Sequence, residues 1–595
     1  MRSEVKTKSI ELFKVAPAWL HSKLSNKQFL IIGAVVVGLW AGLTAVLLKV
    51  SVHYLQEVLR PMNQNYHWVF FVSPGVGILG TYLFIRLVLN GDLARGTSHV
   101  LLAIAKKSSF LPRHEIYSHA TTSALTVGFG GSAGLESPIV QTGSAIGSAF
   151  ASFFPIGYRD RTLLLACGAS AGIATAFNAP IAGVLFALEV LLVDVSISAF
   201  IPLLIAGATG ALCSKIILEE GILLSFRQVS KFNYHNVPYY ILLGLICGLF
   251  SVFYLKAFIK TERSFDKAMK KGGYVRLIVG CLLLGGLIFL LPALFGEGYS
   301  SITALALFKP HQLFGGSPLN HFFLQNQLTL GLGVLLVALI KVFAVSFTLN
   351  AGGNGGNFAP ALLVGACLGF AFSFLLNASG LTHLPTSNFC LVAMAGILAG
   401  IFHSPLTGVF LIAEITGGYD LIIPLMIVAA LSTAISKYMN PHSLDEEKLK
   451  QNNVGISFDK DTHILSELSL SGIVEKDFVE VPLHARLRTL INAIADSRRN
   501  IFPVVDAVGK LEGIITLEDI REIMFNTSLY DTVLVNQLMQ KPSVTVSLDD
   551  DMSVVMEKFD KTGAWNIPVV NDGKYIGFIS KSSVFSNYRN RLRNY

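Results

Sequence analysis

Charge is in short supply in this sequence: Asp, Glu, Lys and Arg make up 14% of its 595 residues, against about 25% in soluble globular chains. With 52% of the residues hydrophobic, that shortage excludes a wholly soluble protein. Cysteine is scarce as well. Its six copies (Cys167, Cys213, Cys247, Cys281, Cys367 and Cys390) all fall in apolar segments, and none forms a Cys-x-x-Cys pair. Neither a zinc site nor a disulfide framework is suggested. The apolar part is also poor in acids, which argues against a cation pore, because such pores are lined by rings of carboxylates or carbonyls. The polar part holds no nucleophile and base constellation, phosphate-binding loop or metal-ligand spacing, so an enzyme is not expected. Basic loops flanking membrane helices account for the net charge of +8 without a nucleic-acid partner.

Long apolar runs are what the sequence has in abundance. Phe29–Leu48 carries no charge over the length a helix needs to cross ~30 Å of hydrocarbon. Comparable runs follow near Trp68–Ile85, Pro238–Leu255, Leu277–Phe295, Leu328–Ile340, Phe389–Ala413 and Leu421–Ser436, with shorter Gly-broken segments between them. A single anchor is excluded. The first run is too long for a signal peptide, and the basic flank before it (Arg2, Lys6, Lys8, Lys14, Lys23, Lys27) puts the N-terminus in the cytoplasm by the positive-inside bias. Past Asn440 the composition turns charged (Asp445, Glu446, Glu447, Lys448, Lys450). The expected organisation is a cytoplasmic segment 1–27, a multi-pass domain 28–440, a linker 441–469 and two soluble modules, 470–530 and 531–595. Both termini are expected in the cytoplasm of a cell (plasma or inner) membrane.

Two repeats organise these regions. In the tail, Asn500-Ile-Phe-Pro-Val-Val-Asp506 and Gly513-Ile-Ile-Thr-Leu-Glu-Asp519 recur as Asn566-Ile-Pro-Val-Val-Asn571 and Gly577-Phe-Ile-Ser-Lys-Ser-Ser583, Pro503 answering Pro568. Each copy reads as a helix, a Pro-Val-Val strand, a turn at Gly509 or Gly573, a second strand and a closing helix. In the membrane part, Phe177-Asn-Ala-Pro-Ile-Ala-Gly-Val-Leu-Phe-Ala-Leu-Glu189 is echoed by Phe402-His-Ser-Pro-Leu-Thr-Gly-Val-Phe-Leu-Ile-Ala-Glu414 at a constant offset. At nearly the same offset, Gly134-Leu-Glu-Ser-Pro138 meets Gly356-Asn-Phe-Ala-Pro360. Interrupted apolar segments at corresponding places in two halves point to a binding site at the membrane midplane.

The Gly-rich loops 130–134 and 352–356 place unpaired backbone N–H groups where helices begin inside the membrane. A helix start contributes ~0.3–1 kcal/mol toward a nearby anion, and up to ~2 when partly buried. Several aimed at one point make an anion site without a fixed cation, from which the ion can still leave. Glu136 competes for the same donors: ionised it blocks, protonated it should swing away. Glu189 and Glu414 read as structural partners of local backbone or helix ends. Lys341 reads either as an attractor of anions or as a snorkelling side chain at a helix end, and His99 and His403 as satisfied polar groups.

The segments at 134–138, 356–360 and 177–183 resemble the CLC family of chloride channels and proton/chloride antiporters, and the tail resembles a tandem CBS pair. The resemblance implies a polytopic α-helical membrane protein of two inverted repeats of many tilted, broken helices, plus a small α/β CBS pair, assembled as a homodimer in the lipid bilayer with one pathway per subunit. It implies Glu136 as the gating glutamate, and anion contacts from Thr97, Ser98, Gly134, Gly356, Asn357, Phe358 and Ala359. The family's coordinating serine becomes Thr97, and its inner tyrosine is replaced near Ser443–Asp445, where an acid would hardly coordinate chloride. Val190 stands where the antiporters carry an internal proton-accepting glutamate. Valine relays no proton, so the expected function is a passive chloride channel gated by a protonatable glutamate, with a proton/chloride antiporter as the alternative. A CBS-regulated divalent-cation transporter is more distant, since it would need more pore acids than Glu136. No resident cofactor or metal is expected. For ATP, ADP or AMP at the CBS pair the implied residues are Thr516, Asp519 and Ser580, and the missing second acid limits the pair to one nucleotide site at most, with a purely dimer-stabilising role as the equal alternative.

Overall fold

The computed structural model describes residues 23–594 except 66, 92, 107, 193–196, 219–229, 269–272, 381, 452–464 and 466–467. The basic residues Arg2 to Lys14 and most of the expected linker lie outside the described residues. The chain divides into two units, Met1–Ile456 and Ser457–Tyr595.

Among the described residues of the first unit, eight helices are long and apolar enough to cross a membrane. Two of them, Ala199–Ile217 and Phe358–Ala378, lie in segments that read as short and Gly-broken. The run Phe389–Ala413 behaves in the opposite way. It is not one span but two helices, Thr386–Phe402 and Pro405–Thr416, separated by His403 in the left-handed region at φ 55°. Proline lacks the N–H that would continue the first helix and has a φ suited to starting a second. The first half breaks identically: Asn178 ends its helix at φ 51°, and Pro180 opens the helix Pro180–Phe186.

The repeat extends to the partners of the broken ends. Glu189 accepts hydrogen bonds from the N–H groups of Leu406 and Thr407 at 2.9 and 2.7 Å, and from the Thr407 hydroxyl at 2.7 Å. Glu414 accepts from Ile181 and Ala182 at 3.0 and 2.8 Å. Each half therefore supplies the carboxylate that caps the other half's interrupted helix, satisfying donors that lipid cannot.

The centre of the unit is built on close backbone contact. A Cβ on Gly143 would fall 2.2 Å from the carbonyl oxygen of Gly168, and one on Gly369 would fall 2.2 Å from that of Phe389. These glycines let Glu136–Ala151 lie directly on Tyr158–Phe177, and Phe358–Ala378 on Thr386–Phe402, which is how small residues join helices where no hydrophobic drive separates them from lipid. The longer spans surround this centre and turn apolar side chains such as Trp40, Leu47 and Ile216 outward.

The second unit carries two three-stranded sheets of one design. Val481–Pro482 pairs parallel to Ile501–Val505, which pairs antiparallel to Leu511–Thr516. Val546–Ser547, Asn566–Asn571 and Lys574–Ser580 repeat that order. Even the irregularity repeats, between Val504 and Val505 in one copy and between Val569 and Val570 in the other. Each sheet has its own buried cluster, around Phe502 and Leu490 or around Phe559 and Ile567. The turns at Gly509 (φ 84°) and Gly573 (φ 79°) need the left-handed backbone that glycine adopts freely. Asp506 accepts the N–H groups of Lys510 and Val508 at 2.8 and 2.9 Å, and these bonds, that of Lys510 foremost, hold its carboxyl below the usual carboxylate range. The turns meet backbone to backbone, Leu511 donating to Gly573 and Tyr575 to Gly509.

Candidate functional site

Three helix starts converge, and local sequence explains how each is placed. Gly130 and Gly352 sit at φ 97° and 110°, and a Cβ on Gly130 would lie 2.0 Å from the ring of Phe295. From these turns the two loops run into contact, where Gly134 and Gly356 exchange backbone hydrogen bonds of 2.9 and 2.8 Å. That bridge sets the starts of Glu136–Ala151 and Phe358–Ala378 side by side. The third start is Thr97–Lys106, whose Thr97 hydroxyl lies 3.2 Å from that of Ser137. All three border one cavity, lined by Thr97, Glu136, Gly356, Asn357 and Phe358. It leaves ≈ 20 Å³ for the centre of a water-sized sphere, above the ~10–15 Å³ that one water needs.

The other expected anion contacts lie around this cavity rather than in its lining. Gly134 is held in the bridge, and a Cβ there would meet Glu136 Oε2 at 2.3 Å. The Ala359 N–H donates to Glu136 Oε2 at 3.3 Å. The N–H of Ser98 faces the carboxylate of Asp445.

Glu136 is 2% exposed and occupies the start of Phe358–Ala378 as an anion would. Its Oε1 accepts the hydroxyl of Tyr299. The loop Gly296-Glu297-Gly298-Tyr299 is thus a part of the site that the sequence motifs do not announce. Glu297 faces the N–H of Leu135 and feels the charges of Glu136, Lys49 and Lys341, while its Oε1 is buried without a hydrogen-bond partner. Lys49 donates to the carbonyl of Ala176. A charged residue between two glycines after an apolar run is the only local signal for this loop.

Lys341 is not the snorkelling side chain that its position at a helix end suggests. It is fully buried in the helix Gln327–Asn350, and its ammonium donates to Ser132 Oγ, Gly296 O and Leu294 O at 2.8, 3.0 and 3.2 Å. It neither snorkels nor lines the cavity. Instead it ties the loop that carries Glu297 to the first Gly-rich loop. His99 is engaged by Glu115 at 3.0 Å, and Glu115 also lies 3.6 Å from His119.

Val190 lies in a π-helical turn, Ala187–Leu191. At the position of the missing tyrosine, Asp445 reaches the cavity together with Lys448, on the helix Leu444–Gln451, in a stretch that reads as linker. A tyrosine does touch the site from elsewhere: Tyr254 donates to Asn357 Oδ1 at 2.9 Å.

In the second unit, Thr516 and Asp519 form a capping box. Asp519 Oδ2 accepts the Thr516 N–H and hydroxyl, both at 2.7 Å, and Oδ1 accepts Gln540 Nε2 at 2.7 Å. In the other copy Ser580 Oγ accepts the Ser583 N–H at 3.0 Å and donates to Glu475 at 2.6 Å. The two copies share the cap and differ in its acid.

Comparison with known proteins agrees with this arrangement. Residues 77–437 match the family described as voltage gated chloride channel, and residues 470–526 and 535–590 each match the CBS domain. The chain is 27% identical over 425 residues to the H(+)/Cl(-) exchange transporter ClcA of Klebsiella pneumoniae, covering 68% of this chain and 85% of that one. To the chloride channel protein CLC-f of Arabidopsis thaliana it is 26% identical over 523 residues, 77% of this chain and 65% of the other. The solved structure of a slow cyanobacterial Cl-/H+ antiporter superposes with TM-score 0.59 at 21% identity, covering 73% of this chain and 99% of its own. The family match spans more than half of the chain and contains the paired loops, Glu136 and both broken helices, so this protein belongs to the voltage gated chloride channel (CLC) family and carries two CBS domains at its C-terminal end.

Proposed function

We propose that the protein exchanges chloride for protons across a cell membrane. The observation that carries this reading is the carboxylate of Glu136 lying on the Ala359 N–H at the start of Phe358–Ala378. Anion and proton then act on one group: chloride takes the helix start only when Glu136 leaves it, and Glu136 leaves it most readily when protonated. Passive conduction, the expectation drawn from Val190, ranks second. The relative named above is an H(+)/Cl(-) exchange transporter and the structural neighbour a Cl-/H+ antiporter, which favours exchange. Val190 removes an acid from one position, whereas coupling needs an acid anywhere that reaches the pathway.

The proposal includes a homodimer with one pathway per subunit, both termini in the cytoplasm of the plasma or inner membrane, and modulation by one adenine nucleotide at the CBS pair. With purified protein in liposomes, an imposed chloride gradient is expected to drive protons in the opposite sense. The reversal potential should then shift when only the proton gradient is changed. A reversal potential that follows chloride alone would overturn exchange in favour of passive conduction.

A further inference from the structure

The acidic stretch after the last long apolar span supplies a second carboxylate to the cavity. In Ser443-Leu-Asp-Glu-Glu447, Ser443 and Glu446 form a capping box, the Ser443 N–H donating to Glu446 Oε2 at 2.7 Å and the Glu446 N–H to Ser443 Oγ at 3.4 Å. This fixes the first turn of Leu444–Gln451 and leaves Asp445 facing inward, 7% exposed. Glu447 is used elsewhere, 3.7 Å from Arg263. Asp445 lines the same cavity as Glu136 and Thr97, and the N–H of Ser98, the second residue of Thr97–Lys106, faces its carboxylate.

The charged groups around it are few. Lys448 and Glu446 share its helix, and Lys448 Nζ lies 4.5 Å from the ring centroid of Phe258. Glu136 borders the cavity, and His403, at the end of Thr386–Phe402, faces Glu446. Two of the helix starts that open on this cavity therefore each face a carboxylate: Phe358–Ala378 donates to Glu136, and Thr97–Lys106 faces Asp445. A buried carboxylate and a permeating anion compete for one set of donors.

We propose that Asp445 is a second protonatable gate of the anion pathway, serving the face on which the chain leaves the membrane domain for its CBS domains. Ionised, it keeps the Ser98 N–H and bars the anion from that helix start. One proton moves from the solution on that face to a carboxylate oxygen of Asp445, the neutral side chain releases the N–H, and chloride replaces it. No covalent bond to the anion is made or broken. The inference rests on the transport reading above and supplies it with an acid that Val190 does not.

The test uses the full-length protein in planar bilayers, with the pH of each face varied separately, and chloride calorimetry in detergent at neutral pH. Asp445→Asn is expected to raise transport at neutral pH and abolish the response to pH on the CBS-bearing face, leaving the response on the other face intact. It should also bind chloride about tenfold tighter, or ~1.4 kcal/mol. Asp445→Glu, which keeps the charge, should retain the response. If Asp445→Asn does not fold, Asp445→Ser carries the same expectations. An unchanged pH response together with unchanged chloride affinity in the neutral variant overturns the second gate while the transport reading stands. Absence of chloride transport by the wild-type protein overturns the transport reading itself, and the calorimetry still decides whether Asp445 competes with the anion.

Discussion

At Glu136 two unlike donors meet one carboxylate, a helix N–H from Ala359 and the phenolic hydroxyl of Tyr299. In the proposed exchange chloride replaces the carboxylate on the helix start, but nothing in that replacement rewards the loss of the tyrosine bond. On the proposed reading of Glu136 as a gate, Tyr299 would act as a latch on its closed state. A hydrogen bond to a charged group is worth ~1.5–3 kcal/mol, so Tyr299→Phe is expected to shift the gate toward open by about tenfold or more and to raise chloride flux at neutral pH, measured in liposomes. A variant that folds normally and transports no faster would remove the latch. Glu136 is legible in the sequence because a carboxylate in Gly-Leu-Glu-Ser-Pro has nowhere to go but a helix start. Tyr299 is not, because its position depends on the loop 296–299 folding back on residues 130–136, which no local pattern encodes. Asp445 falls between these cases: the loss of the family tyrosine is visible, the inward turn of the acid is not.

Among the elements, the interrupted helices decide the architecture. The offset between the halves predicts that they break alike, and Asn178 and His403 show the repeat even in backbone sign. The sequence assigns Glu189 and Glu414 to local backbone or helix ends, whereas their partners lie in the opposite half, since exchange between the halves is a property of the assembled pair. Hydropathy misreads Phe389–Ala413 as one span because a two-residue break between apolar flanks barely changes an average over ~19 residues. It underrates Phe358–Ala378 for the converse reason, as its glycines serve close packing and not a turn. Glu414→Gln keeps the shape of the cap and removes its charge from two buried helix donors, at a cost of ~1–3 kcal/mol. Its thermal aggregation midpoint, followed by size-exclusion chromatography after heating, is expected to fall by several degrees. An unaltered midpoint would mean that the cap contributes nothing to stability.

For the molecule as a whole, regulation by the CBS domains turns on whether a nucleotide can claim residues already engaged with one another. Both carboxylate oxygens of Asp519 are occupied, by Thr516 and by Gln540, so a ribose would have to displace Gln540 while the helix cap stays in place. The second unit has buried clusters of its own, which makes the fragment 457–595 suitable for calorimetry with ATP, ADP and AMP. Binding of no more than one nucleotide per chain is expected, and it should be weakened by Asp519→Ala. No heat with any of the three would retire nucleotide control.

The crossed carboxylate caps also bear on how the chain is made. Ile181 and Ala182 are synthesised long before Glu414, and Glu189 long before the Leu406 and Thr407 donors it satisfies. A nascent chain halted between the halves holds a membrane-embedded helix start with no acceptor and a carboxylate with no donor. Each half therefore completes its interrupted helix only in the presence of the other, and a chain truncated between them is expected to be less stable than the whole.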